Sequence, residues 1–411
     1  MNGRYLHWDE LRRRTPPEDL SLEEWWAAIA VARGVLKTRL PLVDTSGNAF
    51  QFARTDGVQR LLHQIDRQAG SPLETSEPQL ANGQIRDRYI LRSLIEEAIT
   101  SSQLEGASTT RRVAKEMLLT GRKPQNQSER MIANNFEAMQ LMRRRVAEPL
   151  TPAFIHELHE VVTAGTVDPE EAGRLRREDE AVTVQDRADG QILHTPPAAD
   201  ELPKRLQRLC AFANDRSDEA FIHPVVRAIS LHFMLAYDHP FVDGNGRTAR
   251  ALFYWSMLQQ GYWLAEFLSI SRVLRNAPAQ YARAFLFTET DGSDLTYFVL
   301  HQLGVIQTAI IDLHAYLNRK AKEVRDTERL LRNLAPLNHR QRALLTHALR
   351  HPESQYTIQS HQRENGVVYQ TARQDLLDLA EAGLLEKKQI GRAFYFDVPQ
   401  DLERRLKKSP R

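Results

Sequence analysis

A chain of 411 residues and 47.2 kDa exceeds one average domain, so two or three folded units are expected. Hydrophobic residues at 42% and charged residues at 26% exclude a mostly disordered or fibrous chain. Lys plus Arg number 55 against 53 Asp plus Glu, a net of +2, so no global field commits the protein to nucleic acid or to a membrane surface, and any basic patch must be local.

The opening residues, MNGRYLHWDELRRR, lack the apolar core and small-residue cleavage site of a secretory signal, so export is not indicated. Trp25, Ala28, Ile29, Ala32 and Leu36 recur at helical spacing in Leu22–Arg39, which predicts an amphipathic helix and a helical N-terminal cap over residues 1–85. The polar run Gly70–Gly83, with Pro72, Pro78 and Asn82, reads as a connector. Helical patterns then dominate residues 86–316, including Ser128–Arg145, Pro152–Ala164, Ala198–Asn214, His223–Tyr237 and Asn245–Gln260, so the fold class is mainly α. The single cysteine, Cys210, falls in one of these helices as a small apolar residue. With no second Cys there is no internal disulfide, no Cys or His cluster suggests zinc, and a reducing cytoplasmic setting is expected. Ala181–Thr195 departs from the helical pattern: Val182, Val184, Ile192 and Leu193 flank Ala188-Asp189-Gly190, a strong hairpin signal. The apolar stretch Ala251–Ile270 is broken by Gln259, Gln260, Gly261 and Glu266, which predicts two helices and no membrane span.

Residues 317–334 are charged at helical spacing and read as a linker helix. Residues 335–400 then offer three helices, His339–Arg350, Thr357–Asn365 and Tyr369–Ala382, closed by apolar strands around Gly391, the layout of a winged helix; residues 401–411 form a basic tail. Residues 335–411 carry 13 Lys plus Arg against 9 Asp plus Glu, only mildly basic. Tyr369, Gln370 and Arg373 open the third helix as candidate DNA contacts, while homodimer formation or docking are equal alternatives for such a unit.

The chemistry concentrates in His239-Pro240-Phe241-Val242-Asp243-Gly244-Asn245-Gly246-Arg247-Thr248-Ala249-Arg250, between two helices. Gly244 and Gly246 permit a tight turn and close backbone approach at a helix start, where free amides and the helix dipole favour anions. Arg247 and Arg250 are three apart, on one face, and present forked donors suited to successive phosphates. Asp243 supplies a hard oxygen for magnesium, and His239 titrates near neutrality as a candidate base. These parts describe phosphoryl or nucleotidyl transfer.

The segment matches, position by position, the His-Pro-Phe-x-Asp-Gly-Asn-Gly-Arg-x-x-Arg signature, and so resembles the Fic family. The resemblance implies a Fic-fold helical core and protein adenylyltransferase activity, moving AMP from ATP to a Ser, Thr or Tyr hydroxyl of a target protein or of the enzyme itself. It implies that His239 is the general base, that Asp243 holds Mg2+, and that Asn245 and the loop amides at Gly244 and Gly246 hold the α-phosphate. Arg247 would take the β-phosphate and Arg250 the γ-phosphate. Doc-type phosphotransferases carry Lys where this chain has Gly246, which favours AMP transfer. Upstream, Ser101-Ser102-Gln103-Leu104-Glu105-Gly106 resembles the family's inhibitory motif, on a helix expected near residues 90–106. Ser101 and Glu105 share a helix face, and Glu105 would pair with Arg250 and restrain the enzyme. The same carboxylate could serve removal of AMP instead. The hairpin at Val182, Val184, Ile192 and Leu193 matches in location the family's target-docking flap. A contrasting reading is a DNA-associated regulator whose pocket senses nucleotide without transferring it.

Other residues have plainer expectations. His223 and His232 read as hydrogen-bonded structural residues, and Phe253, Tyr254, Trp255, Tyr262 and Trp263 as core. Tyr281 and Asp291 are candidates for lining a nucleobase pocket.

Overall fold

The structure, a computed structural model, describes residues 4–17, 19–69, 83–180, 182–185, 190–215, 221–332, 337–351, 353–390 and 393–408. It divides into two compact units, Met1–Leu313 and His314–Arg411.

The first unit begins with α1 (Trp8–Leu11) and α2 (Leu22–Gly34). Ser21 and Glu24 form a reciprocal capping box that starts α2, satisfying amides the helix would otherwise leave open. The helix stops five residues short of the expected Arg39. Beyond Gly34 the alternation in Lys37–Val43 (β1) takes over, pairing antiparallel with β2 (Ala49–Ala53) and burying Leu40, Leu42, Phe50 and Phe52 on one face. Asp44 closes the turn by accepting the amides of Ser46 and Asn48, with Gly47 left-handed at φ 86°. The cap is thus not purely helical. Nor is it separate: β2 is sealed to the rest of the unit by Ala53 N–H donating to Thr296 Oγ1 at 2.8 Å and by Leu295 N–H donating to the Gln51 carbonyl at 2.7 Å. Expected helical positions Ala28, Ala32 and Leu36 are exposed, while Ile29 and Arg33 face inward. After α3 (Asp56–Ala69), most of the expected connector lies outside the described residues.

The helical core follows as α4 (Gly83–Leu104), α5 (Arg111–Thr120), α6 (Gln127–Arg144) and α7 (Pro152–Thr163). The inner faces of α4, α5 and α6 share a cluster that includes Ile95, Ala98, Ile99, Ala114, Met117 and Ile132. Two short strands, β3 (Val184–Gln185) and β4 (Ile192–His194), pair antiparallel; Val182 lies just outside the pairing, and Ala188 and Asp189 of the expected turn lie outside the described residues. Helices α8 (Leu202–Asn214), α9 (Pro224–Asp238) and α10 (Asn245–Gln259) come next. Nearly all of α9 and α10 is buried, as expected of a central helix pair enclosed on all sides. The second helix expected in Ala251–Ile270 is only a 3-10 turn at Trp263–Phe267, because Gly261 turns left-handed at φ 84° and ends the run.

Helices α11 (Ile270–Asn276), α12 (Pro278–Thr290) and α13 (Thr296–Arg332) complete the core. The stretch expected as a linker helix at 317–334 is helical through Arg332, as the continuation of α13 from Thr296, because nothing between Tyr316 and Arg332 ends a helix. Among the described residues, Thr296–Lys322 is the one stretch long and apolar enough to cross a bilayer. Its Phe298, Val299, Leu303, Ile306 and Ile310 are buried within the first unit, as in a core helix.

The second unit contains α14 (His339–Arg350), β5 (Gln355–Thr357), α15 (Ile358–Asn365), α16 (Tyr369–Glu381), β6 (Glu386–Ile390), β7 (Ala393–Asp397) and α17 (Leu402–Lys408). Its sheet has the order β5-β7-β6, with both pairings antiparallel, over a core centred on Leu345, Ala348, Ala372, Leu376, Leu379 and Phe396. The expected basic tail is largely helical: Leu402 and Leu406, four apart, bury themselves in this core.

Candidate active site

The site forms where α9 hands over to α10. His239 ends α9 in the left-handed region at φ 45°, a conformation uncommon outside glycine. Its amide still closes the last turn onto the Leu235 carbonyl at 3.1 Å. Its Nδ1 lies 3.1 Å from the Ala236 carbonyl; that oxygen only accepts, so Nδ1 carries the proton and Nε2 is the basic nitrogen. Burial lowers the His239 pKa, opposed by the Ala236 hydrogen bond and by the negative charge of Glu105.

The loop from Pro240 to Gly244 is held rigidly. Phe241 is wholly buried, and both ends of the Asn245 amide grip its backbone: Phe241 N–H donates to Oδ1 at 3.0 Å and Nδ2 donates to the Phe241 carbonyl at 2.8 Å. The Asn245 side chain therefore shapes the loop. Gly244 caps α10 at φ 86°, and a Cβ there would lie 2.7 Å from Thr163 Cγ2. The loop therefore delivers the α10 amides on a turn that only glycine fits.

Two arginines of α10 lie beneath it. Arg247 is fully buried; it donates to the Val162 carbonyl at 3.0 Å and to Asp243 Oδ2 at 3.0 Å, while its Nε has no partner among the described residues. Asp243 is half exposed, with its carboxylate at the surface. Arg247 is thus already engaged with the expected metal ligand, and any anion reaching it must share or displace that contact. An unpartnered, buried guanidinium N–H beside a surface carboxylate suits a site that receives further oxygen ligands. No group of three or more His, Cys, Asp or Glu among the described residues could hold a metal ion. Asp243 alone could offer a magnesium ion one carboxylate, a donor set that fits an ion taking its other ligands from phosphate oxygens and water.

Arg250 is also buried, and the upstream motif surrounds it. Its Nε donates to Ser101 Oγ at 2.8 Å, and its Nη2 donates to the Ser101 carbonyl at 3.1 Å and to Glu105 Oε1 at 2.8 Å. Burial works against its charge, yet Glu105, with Tyr281 and Glu97 nearby, raises its pKa above the ordinary arginine value. The residues that the motif placed four apart do meet the same guanidinium, although α4 ends at Leu104 and Glu105 sits in the turn that follows. Gly246 makes room for this approach: a Cβ there would fall 2.1 Å from Glu105 Oε1.

Several residues that sequence reasoning passed over support this arrangement. His159 of α7 stacks on Phe241 with centroids 3.7 Å apart, its Nε2 lies 2.8 Å from the Asp243 carbonyl, and its Nδ1 accepts the Gly173 amide at 3.0 Å. Burial pushes its pKa down to about 4. Arg176 donates through Nε to the His239 carbonyl at 2.9 Å, and its backbone amide donates to the Pro240 carbonyl at 2.9 Å. Glu97, buried on α4, accepts Ser269 Oγ at 2.9 Å and the Ser271 amide at 3.1 Å, anchoring the motif-bearing helix to the start of α11. Burial raises its pKa, against those hydrogen bonds and the charge of Arg250. Arg205 joins Asp238, the residue before His239, to the Val43 carbonyl, so the β1–β2 pair buttresses the end of α9.

Of the aromatics expected as core, Tyr262 is buried with the others but Trp263 is only half-buried. His223 caps α9 and approaches Asp66 Oδ2 at 3.0 Å; His232 is buried 2.8 Å from the Tyr281 hydroxyl; Phe253, Tyr254 and Trp255 are core. Cys210 is buried, and burial pushes its thiol up to about 12. Of the suggested base-pocket residues, Tyr281 lies near Arg250, but Asp291 accepts from the Tyr297 hydroxyl at 2.7 Å and serves the N-terminal packing. In β3–β4, Val184 and Leu193 are half-buried and Ile192 is exposed, while His194 links β4 to Glu289 at 2.7 Å and to the Tyr237 carbonyl at 2.7 Å. In the second unit, Tyr369, Gln370 and Arg373 are all exposed on α16. That unit also bears a polar depression of about 700 Å³, whose charged lining is largely paired with itself, as in Lys388–Asp397 and Arg405–Glu386.

Residues 149–257 match the model of the Fic/DOC family. A 113-residue stretch is 37% identical to "Protein adenylyltransferase Fic" of Drosophila grimshawi, covering 28% of this chain and 21% of that protein. A 116-residue stretch is 36% identical to the Nematostella vectensis protein of the same name, covering 28% and 25%. The chain therefore spans about a fifth to a quarter of the length of these curated relatives. Among solved structures, a Fic family protein from Desulfovibrio desulfuricans G20 aligns over 85% of this chain and 98% of its own, with TM-score 0.58 and 20% identity. Residues 134–508 of Fic-1 from C. elegans align over 65% and 73%, with TM-score 0.50 and 21% identity. At these identities the likeness establishes the fold, which is that of Fic proteins.

Proposed function

We propose that this protein transfers AMP from ATP to a hydroxyl side chain of a protein target and that Glu105 restrains the reaction. The observation that carries the reading is the convergence at one helix start of a half-buried imidazole with a basic Nε2, a glycine-flanked turn and two buried arginines. The names of the curated relatives support the same activity for the segment they share with this chain.

In the reaction, the target oxygen forms a bond to the α-phosphorus as the bond to the pyrophosphate oxygen breaks. The hydroxyl proton passes to His239 Nε2, and pyrophosphate departs with the electron pair. The amides opening α10 receive the phosphates, Arg247 neutralises charge toward the β-phosphate, and Arg250, once Glu105 withdraws, aligns the γ-phosphate. Asp243 would hold Mg2+, which when bound neutralises phosphate charge. The β3–β4 pair offers an edge to which an extended target segment, or a segment of the enzyme itself, can add in register. A cytoplasmic setting accords with the lone cysteine.

The second unit supports a further reading. Helices α14, α15 and α16 with the three-stranded sheet support a winged-helix reading, and the exposed Tyr369, Gln370 and Arg373 at the start of α16 suit a DNA groove. Such binding would add to the catalysis and need not replace it. The deciding experiment compares ATP labelled at the α- or the γ-phosphate, using the full-length Glu105→Gly variant and Mg2+. Covalent label on protein from the α-position alone is expected. Label from the γ-position would indicate phosphate transfer, and none from either would leave a nucleotide sensor.

A further inference from the structure

We infer that His159 is a positioning residue that aims the phosphate-binding peptide of the α10 start. The inference rests on the nucleotide reading above for the identity of the ligand, but its geometry is independent of that reading.

His159 is 1% exposed, and a buried imidazole must satisfy both ring nitrogens. A backbone amide only donates and a carbonyl only accepts, so one tautomer fits both neighbours: Nδ1 accepts from Gly173 N–H and Nε2–H donates to the Asp243 carbonyl. The ring cannot swing, because it lies flat on Phe241, at 7° between planes. It cannot move closer to the loop either, since Gly244 packs so tightly that a Cβ would lie 3.3 Å from Nε2.

The consequence follows from peptide planarity. The Asp243 carbonyl and the Gly244 N–H belong to one trans peptide and point in opposite directions. Holding the carbonyl on α7 therefore turns the Gly244 N–H away from α7, on the loop that bears the surface carboxylate of Asp243. Without the imidazole donor this peptide is free to flip, because Gly244 tolerates either hand of φ. A flipped peptide would present a carbonyl oxygen to an incoming phosphate, replacing attraction with repulsion. A partner that orients a ligand in this way typically changes affinity by about 10- to 100-fold when removed.

The test uses the full chain carrying Glu105→Gly, with His159→Phe, His159→Asn and His159→Gln introduced separately. ATP uptake with Mg2+ is measured by calorimetry, and melting temperature alongside it. If the histidine only fills space, Phe, which keeps the ring stack, disturbs binding least. If it positions the loop, Gln, whose terminal amide can still donate toward Asp243, binds best, and Phe and Asn lose about 10- to 100-fold whatever their melting temperatures. Phe binding as tightly as the His159 parent, or Gln no better than Asn, would overturn the inference while leaving the nucleotide site intact. No uptake by the parent carrying Glu105→Gly alone would instead overturn the nucleotide reading, and this inference with it.

Discussion

Glu105→Gly is expected to raise transfer of α-phosphate label about 10- to 100-fold over the parent protein. The estimate follows from one contact: a charge-assisted hydrogen bond is worth roughly 1.5–3 kcal/mol, and that energy holds Arg250 at 2.8 Å from Glu105 Oε1 instead of at a phosphate. Removing the carboxylate does not strand a buried cation, because Ser101 still accepts from Arg250 twice and Glu97 remains a nearby negative charge. The fold should therefore tolerate the change. Gly246→Ala gives an independent check through space rather than charge. Its Cβ would occupy the position of Glu105 Oε1 and push the flexible carboxylate aside, while lying 3.1 Å from Arg250 Nη1. This variant should also activate, but less, since the added methyl crowds the loop that receives phosphate. Label incorporation per minute at saturating ATP reads both variants. Wild-type rates in Glu105→Gly, with the protein still folded and binding ATP, would remove Glu105 from regulation.

The sequence disclosed the site where its chemistry is local. His239 to Arg250 sit within one turn and one helix, so spacing alone put imidazole, glycines and guanidinia together. Glu105 and Arg250 are far apart in the chain, and it was the resemblance of Ser101–Gly106 to an inhibitory motif, together with opposite charge, that joined them. His159 carried no comparable signal: on α7 it follows Ile155 and Leu158 on an apolar face, and its partners Gly173 and Asp243 are chosen by tertiary packing. Asn245 is assigned to the α-phosphate only by the family resemblance, while its loop-holding role, with donor and acceptor both engaged by the Phe241 backbone, follows from tertiary structure. In the N-terminal region, a helical periodicity read through Gly34 concealed the alternation of Leu40 and Leu42 against Phe50 and Phe52, although Asp44 to Asn48 supplied the turn residues. At the other end, residues 401–411 read as a basic tail, with four basic residues among 402–408, while the two leucines four apart decided the structure.

His239→Ala should lower label transfer by about 10²–10⁴-fold, the usual contribution of a positioned general base, with little change in ATP affinity. The asymmetry is expected because the imidazole contacts the Ala236 carbonyl within its own helix end, while the arginines and loop amides that receive phosphate have other supports. A pH profile adds a test with a definite sign. A base acts only when neutral, and burial lowers the His239 pKa below the ordinary value of about 6.5, so activity should hold steady near pH 7 and fall only under more acid conditions. Glu105 opposes that shift, since its negative charge favours the imidazolium. Removing it in Glu105→Gly must therefore move the acid limb of kcat/KM to still lower pH, even as the rate rises. An acid limb that moves upward, or that is unchanged in position when His239 is replaced, would assign proton removal to another group.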